Sequence, residues 1–371
     1  MRVAAPPPVR GKDDRVDRAG GVRRAGIALV SLIALPADLM AGGAAGGAAR
    51  PVPPPLPCPA AAGWRLERQL ELPRRGPGGL AIGGFSAARF DPTTGELLLL
   101  SDAAAAVLLR WGGIAAARPR LLQVLPLQRP GQEPLDGEAL VRLHGQLWVA
   151  SEGRRTSVRP ARLLRVEASS GRLLEALALP ADWQPGEGRG LASNGGPEAL
   201  ALLPPAQHGG TPALLMAAEQ PLLQDPPATV RLLRWQWPAQ ADPRSSRPLP
   251  RAQGALRLPG PGWGLTDLLV VSPDRLLALL RRFEPPFRWR IRLALYPLPQ
   301  PAGAAQAPLA DWDLVASGLT PDNWEGLSPG PPLADGRPSL LLVSDDNFNP
   351  LQANRLALFS PIRSAACSSQ P

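Results

Sequence analysis

A set of carboxylates recurs at matching places along this chain. Glu138, Glu198, Asp267 and Glu325 each open an apolar run, while Asp102, Glu152, Glu219 and the pair Asp345-Asp346 each close one. If one opening holds them all, unit charges ~4 Å apart repel by roughly 4 kcal/mol at an intermediate effective dielectric. Cations, nearby arginines or shared protons must offset that repulsion. Carboxylate and amide oxygens suit hard cations, Ca2+ before any soft metal, and Asp345-Asp346-Asn347 and Asp322-Asn323 cluster further oxygens. A bound cation polarises a phosphate or acyl oxygen and activates water. The expected division is therefore an inner, catalytic ring of Glu138, Glu198, Asp267 and Glu325. Asp102, Glu152, Glu219, Asp345 and Asp346 are expected as Ca2+ ligands, some of them supplying the base. The plainer alternative has each acid capping a turn or pairing with an Arg, but random capping would not recur at one repeat position.

The elements that must position these acids form a repeated phrase: acid, apolar strand, turn, apolar strand, acid. Its clearest copy is Glu138-Ala139-Leu140-Val141-Arg142-Leu143, a His144-Gly145 turn, then Gln146-Leu147-Trp148-Val149-Ala150-Ser151-Glu152. Glu198 to Glu219, Asp267 with 276–280, and Glu325 to Asp346 repeat it, and a weaker first copy runs from Ser86 to Asp102. The copies start about 50–70 residues apart, the spacing of propeller blades. Further strand candidates at 161–166, 173–179 and 290–296 bring each repeat toward the four strands of a blade. The expected fold is an all-β propeller of five blades; a divergent stretch at 220–260 leaves room for a sixth. The last repeat supplies three strands at most. An orphan strand at 64–72 is expected to complete it, closing the ring and removing exposed edges. Start and end of an antiparallel hairpin lie together, so the acids of all repeats are expected at one mouth of the central channel.

Composition bounds the alternatives. The chain has 371 residues, 44% hydrophobic, with 48 Pro and 38 Gly; apolar runs of strand length argue against the disorder such Pro and Gly content suggests. The formal charge of +9 invites a nucleic-acid reading, but Lys12 is the only lysine and the arginines are scattered, with no basic stripe and no interleaved stacking aromatics. Residues 1–45 have the order of a secretory signal peptide: a basic stretch ending in Arg23-Arg24, an apolar run over 25–36, then small residues at 41–49. That run falls short of the ~20 residues that span a bilayer. Residues 46–63 read as a Pro-rich linker, 64–362 as the propeller and 363–371 as a tail. A periplasmic or secreted chain, monomeric and without a membrane span once mature, is the expectation. Cys58 and Cys367, the two cysteines, are either free thiols or a disulfide formed as the ring closes.

Other motifs are weaker. Gly326-Leu327-Ser328-Pro329-Gly330 spells a nucleophile elbow, but Pro331-Pro332 follows where the elbow needs a helix. His208-Gly209-Gly210 and His144 read as turns, leaving a Ser-His-Asp triad almost no base. Trp148 and Trp324 flank acids; each is either packing or, for Trp324, part of a substrate platform. Arg281 ends the second strand of the fourth repeat where other repeats place an acid, as an anion clamp or a structural ion pair.

At these residues the chain resembles the bacterial phytase-like family described as having esterase-like activity of phytase. The resemblance rests on Gly83-Gly84-Phe85-Ser86, Asp136-Gly137-Glu138-Ala139-Leu140, Leu147-Trp148-Val149-Ala150-Ser151-Glu152-Gly153 and Pro197-Glu198-Ala199-Leu200. Ala218-Glu219-Gln220-Pro221, Asp322-Asn323-Trp324-Glu325-Gly326-Leu327 and Leu342-Val343-Ser344-Asp345-Asp346-Asn347-Phe348 extend it. It implies an exported propeller with many shared acids and hydrolysis of a small-molecule ester or phosphoester. Leu280-Arg281, where the family has an acid before the arginine, and Ala103-Ala104 after Asp102 depart from the pattern. The expectation is thus a Ca2+-assisted hydrolase of phosphate or carboxylic esters; the alternative is a non-catalytic propeller that binds a ligand or partner around a structural cation.

Overall fold

The computed structural model describes residues 56–102, 106–127, 135–153, 160–205 and 210–367. The predicted signal peptide, residues 46–55 of the predicted linker, Ala103-Ala104 and His208 lie outside them. Short apolar runs broken by turn residues give twenty strands in five antiparallel sheets of four. Blade one is β2 (Phe85–Asp91), β3 (Glu96–Ser101), β4 (Val107–Gly112) and β5 (Arg120–Pro126). Blade two is β6 (Gly137–Leu143), β7 (Gln146–Ser151), β8 (Arg162–Glu167) and β9 (Leu173–Ala178). Blade three is β10 (Pro197–Leu203), β11 (Ala213–Ala218), β12 (Thr229–Gln236) and β13 (Leu249–Arg257). Blade four is β14 (Gly264–Ser272), β15 (Arg275–Glu284), β16 (Arg288–Pro297) and β17 (Ala310–Asp313). The stretch 220–260 thus belongs to blade three, and the propeller has five blades.

Blade five joins the first and last described strands of the chain. Its strands are β18 (Trp324–Pro329), β19 (Leu340–Ser344), β20 (Arg355–Pro361) and, paired antiparallel to β20, β1 (Trp64–Glu71). Cys58 and Cys367 form a disulfide beside this junction, with Cα atoms 6.0 Å apart. Cys58 also bridges Arg363, so contacts of the propeller reach described residues of both predicted flanks, linker and tail. Among the described residues no helix is long and apolar enough to cross a membrane.

Each gap between neighbouring blades encloses its own apolar core. Leu100, Leu108, Leu140 and Val149 fill the first gap, and Leu279, Leu293, Leu342 and Phe359 the fourth. The innermost strands β2, β6, β10, β14 and β18 surround the channel. Arg89 of β2 plugs it, donating to the carbonyls of Leu200 on β10 and Leu327 on β18, 2.8 Å each, and to Asp267 of β14. Below the plug lies an apolar cavity of about 400 Å³ lined by Phe90, Val141, Leu202 and Leu269, among others. Above it lie the acids.

Candidate functional site: an acidic channel mouth

Tight hairpins set the mouth's geometry. The two-residue turn His144-Gly145 takes φ of 50° and 78°, the left-handed pair that matches the twist of an antiparallel hairpin, so β6 and β7 run back to the mouth in fixed register. In every inner strand that register then slips by one residue near the mouth. The slip falls between Phe85 and Ala87, Gly137 and Ala139, Pro197 and Ala199, Leu265 and Asp267, and Trp324 and Gly326. The bulged residues are therefore Ser86, Glu138, Glu198, Thr266 and Glu325. A bulge leaves its extra residue outside the ladder and re-aims the side chain.

This register corrects the expected ring. In blade four the counterpart of Glu138, Glu198 and Glu325 is Thr266, and Asp267 stands one position later, where the other blades have Ala87, Ala139, Ala199 and Gly326. Asp267 is 1% exposed and bonded to Arg89 at 2.8 and 3.1 Å and to the amides of Leu327 and Leu268, both at 2.8 Å. Burial pushes its carboxyl above the usual range, while Arg89 pulls the other way. It belongs to the plug, not to the mouth. The two hydroxyls of the ring steady their neighbours. Ser86 Oγ donates to the Gly137 carbonyl at 2.5 Å and Thr266 Oγ1 to that of Trp324 at 3.3 Å, just before Glu138 and Glu325.

A second tier stands where each hairpin ends: Asp102, Glu152, Glu219, Arg281 and Asp345. The amides of Asp102, Glu152, Glu219 and Asp345 donate to the carbonyls of Gly84, Asp136, Gly196 and Asn323 at 2.8–2.9 Å, and Arg281 pairs with Gly264. Glycine at Gly196 and Gly264 makes room: a Cβ there would collide with Glu152 and Glu219 of the preceding blade. The Gly196 amide instead donates to Glu152 at 3.0 Å. Asn323, expected only as one of the clustered further oxygens, and Asp136, not chosen from the sequence as a site residue, bring their own side chains into this tier. Oxygens of Asp136, Glu138 and Glu152 lie within 4.8 Å of one another. The antiparallel pairing of Gly137 with Ser151 was the signal: it sets Asp136 opposite Glu152.

The charges are unequal around the ring. Glu138 and Glu198 are each 7% exposed, and neither makes a hydrogen bond or ion pair with any described residue. Burial first, then the charges of Glu325, Asp102, Asp136 and Glu152, push Glu138 well above the carboxylate range. Burial, then Glu138, Glu219 and Glu325, do the same to Glu198. Burial raises Asp102 to about 7, reinforced by Glu325 and Asp136. Glu152 rises to about 7 for the same first reason, against the Gly196 hydrogen bond. Asp345 is driven well up by burial, Glu325 and Asp102.

The fourth blade supplies the opposite sign. Arg281 bonds Glu325 and Asn323 and reaches Glu219 at 3.1 Å. Burial lowers its pKa, but Glu325, Glu219 and Glu198 more than reverse this. Asn323 also donates to Glu325 at 2.9 Å and Asp345 at 3.3 Å. Two expected residues are placed elsewhere. Asp346 accepts from the amides of Gly84 and Phe348 at 3.1 Å each, tying its loop to blade one. Trp324 is fully buried in the gap between blades four and five, its indole donating to the Thr320 carbonyl at 2.9 Å; it offers no surface to a substrate.

A five-bladed propeller with stacked acids at one channel mouth is the class these features define. The family described as "Phytase-like: Esterase-like activity of phytase" matches residues 80–348, and the chain belongs to it. Comparison by sequence with curated proteins gives no match. Among solved structures, the N-terminal domain of Nup159 aligns at 9% identity and TM-score 0.33, covering 80% of this chain and 95% of that one. A complex described as S. cerevisiae dbp5 bound to nup159, gle1, IP6 and ADP aligns at 8% identity and TM-score 0.33, over 80% and 94%. Both likenesses are too distant to bear on what this chain does.

Proposed function

We propose that the protein hydrolyses phosphate or carboxylic esters at this mouth, with a hard divalent cation, Ca2+ by the donor chemistry, held by Asp136, Glu138 and Glu152. The carrying observation is Glu138: buried, unpaired among the described residues, and facing other carboxylates. An isolated buried carboxylate is costly, and a cation removes the cost. Oxygen ligands at 2.3–2.6 Å from Ca2+ stand at most about 5 Å apart, which the three side chains meet. Asp102, Glu219 and Asp345 complete the acidic surround. When bound, the cation would polarise the ester oxygen.

The chain's own part is proton movement. In the ring Glu198 lies between Glu138 and Thr266, and burial beside Glu138 and Glu219 raises its pKa, which suits a carboxyl that must take up and return a proton. It takes one from water as the water oxygen bonds to the acyl carbon or phosphorus, and returns it to the leaving alkoxide as the ester bond breaks. Glu325 and Asn323 hold Arg281 and so shape the far wall. The disulfide supports export to an oxidising compartment.

Phosphatase and esterase assays with Ca2+ and with chelator test this reading. Turnover that requires Ca2+ and is lost in a folded Glu198→Gln protein supports it. Calcium-dependent melting without turnover of any ester would instead identify a non-catalytic binder with a structural cation.

A further inference from the structure

The hairpin of blade four is longer than its counterparts. β15 has ten residues, against six in β3, β7 and β11 and five in β19. The excess projects past the mouth, because pairing continues beyond Arg281 through Phe283 with Trp289 to Glu284 with Arg288. Phe283 and Trp289 pack with ring centroids 4.8 Å apart. They form a wall shared by two cavities. One, of about 360 Å³, holds Arg281, Glu219 and Glu325 of the mouth. The other, of about 430 Å³, is lined by Pro286, Phe287, Pro321 and Leu351. Phe287 is 82% exposed and Leu351 86%, an apolar patch beside a charged opening.

We propose that this shelf receives the apolar acyl or aryl part of a carboxylic ester whose ester group sits at the acids. The inference rests on the hydrolase reading and narrows its substrate class. Phe283 and Trp289 line both cavities, so one elongated molecule laid over these two rings would reach into each. Charge selects a neutral ester over a phosphate. Arg281 is bound to Glu219, Glu325 and Asn323, and Arg282, the other cation of the first cavity, pairs with Glu284 at 3.8 Å. A dianion entering there meets carboxylates and two engaged cations.

The test compares p-nitrophenyl butyrate with the octanoate in wild type, a Phe287→Ser/Leu351→Ser double variant and Leu249→Ser, an exposed change remote from the shelf. Four more methylenes partly buried should raise kcat/KM about tenfold in wild type and Leu249→Ser, and less than about threefold in the double variant. A flat wild-type series, or an equal slope in all three proteins, overturns the proposal. If no ester is turned over, the hydrolase reading fails by itself. The shelf then stands if N-octylacetamide binds wild type by calorimetry at least tenfold more tightly than the double variant, and falls if it does not.

Discussion

Arg89 and Asp267, on strands of opposite sides of the ring, meet inside the channel as a two-pronged ion pair, Nη1 to Oδ2 at 2.8 Å and Nη2 to Oδ1 at 3.1 Å. The same guanidinium reaches carbonyls of blades one, three and five. One side chain thus ties four inner strands together beneath the acids.

Breaking this tie should cost stability without touching the mouth. Arg89→Met strands a buried carboxylate and should lose about 3–5 kcal/mol in denaturant unfolding, whereas Arg89→Met/Asp267→Leu should recover much of that loss. Equal losses in the single and double variants would show that the carbonyl contacts, not the ion pair, carry the effect.

Removing an unpaired buried charge should act in the opposite direction. With Ca2+ chelated, Glu138→Gln should melt a few degrees higher than wild type, because one repelling carboxylate is gone. With Ca2+ added, wild type should gain melting temperature and the variant should gain little. Calorimetric scans in chelator and in millimolar Ca2+ decide it.

The acids also set a pH dependence. Asp102 and Glu152, pushed up to about 7, bind protons more tightly folded than unfolded. The folded state is therefore favoured at mildly acid pH, and stability falls as pH rises from about 4 through 7. In chelator the melting temperature should drop between pH 5 and pH 8, and Ca2+ should flatten that drop. A chelated protein equally stable at both pH values would count against the mouth as a site of mutual repulsion.

The Cys58–Cys367 bond joins positions separated by 309 residues, so reduction should be felt strongly. Loss of about 2–5 kcal/mol is expected in reductant, and hydrogen exchange should rise first in β1 and β20, the strands that the bond fastens. Uniform loss of protection in all five blades would mean the ring opens as one unit.

Much of this architecture was legible from the chain. Leu140, Val149 and Leu342 stand in short continuous apolar runs of strand length bounded by turns, and the orphan at 64–72 announced its partner by the missing strand of the last repeat. The slips were not legible. A bulge adds one residue without altering residue type, so Asp267, the nearest acid, stood in for Thr266. Asp346 was indistinguishable from Asp345 until the loop turned one inward and tied the other to Gly84. Asp136 hid because its side chain matters only through the strand opposite, where Glu152 lies. Trp324 beside Glu325 looked exposed to substrate, but alternation sends it into the gap between blades.

Blade five is assembled from the first and the last described strands. A chain that emerges N-terminus first therefore carries β1 as an open edge through the appearance of four complete blades. No fragment that lacks β18 to β20 is a closed ring, and the acidic mouth, which needs Glu325 and Asp345 as well as Asp102, comes into being only once blade five has been made. Any chemistry that needs the complete set of acids is thereby withheld until the last blade closes on β1.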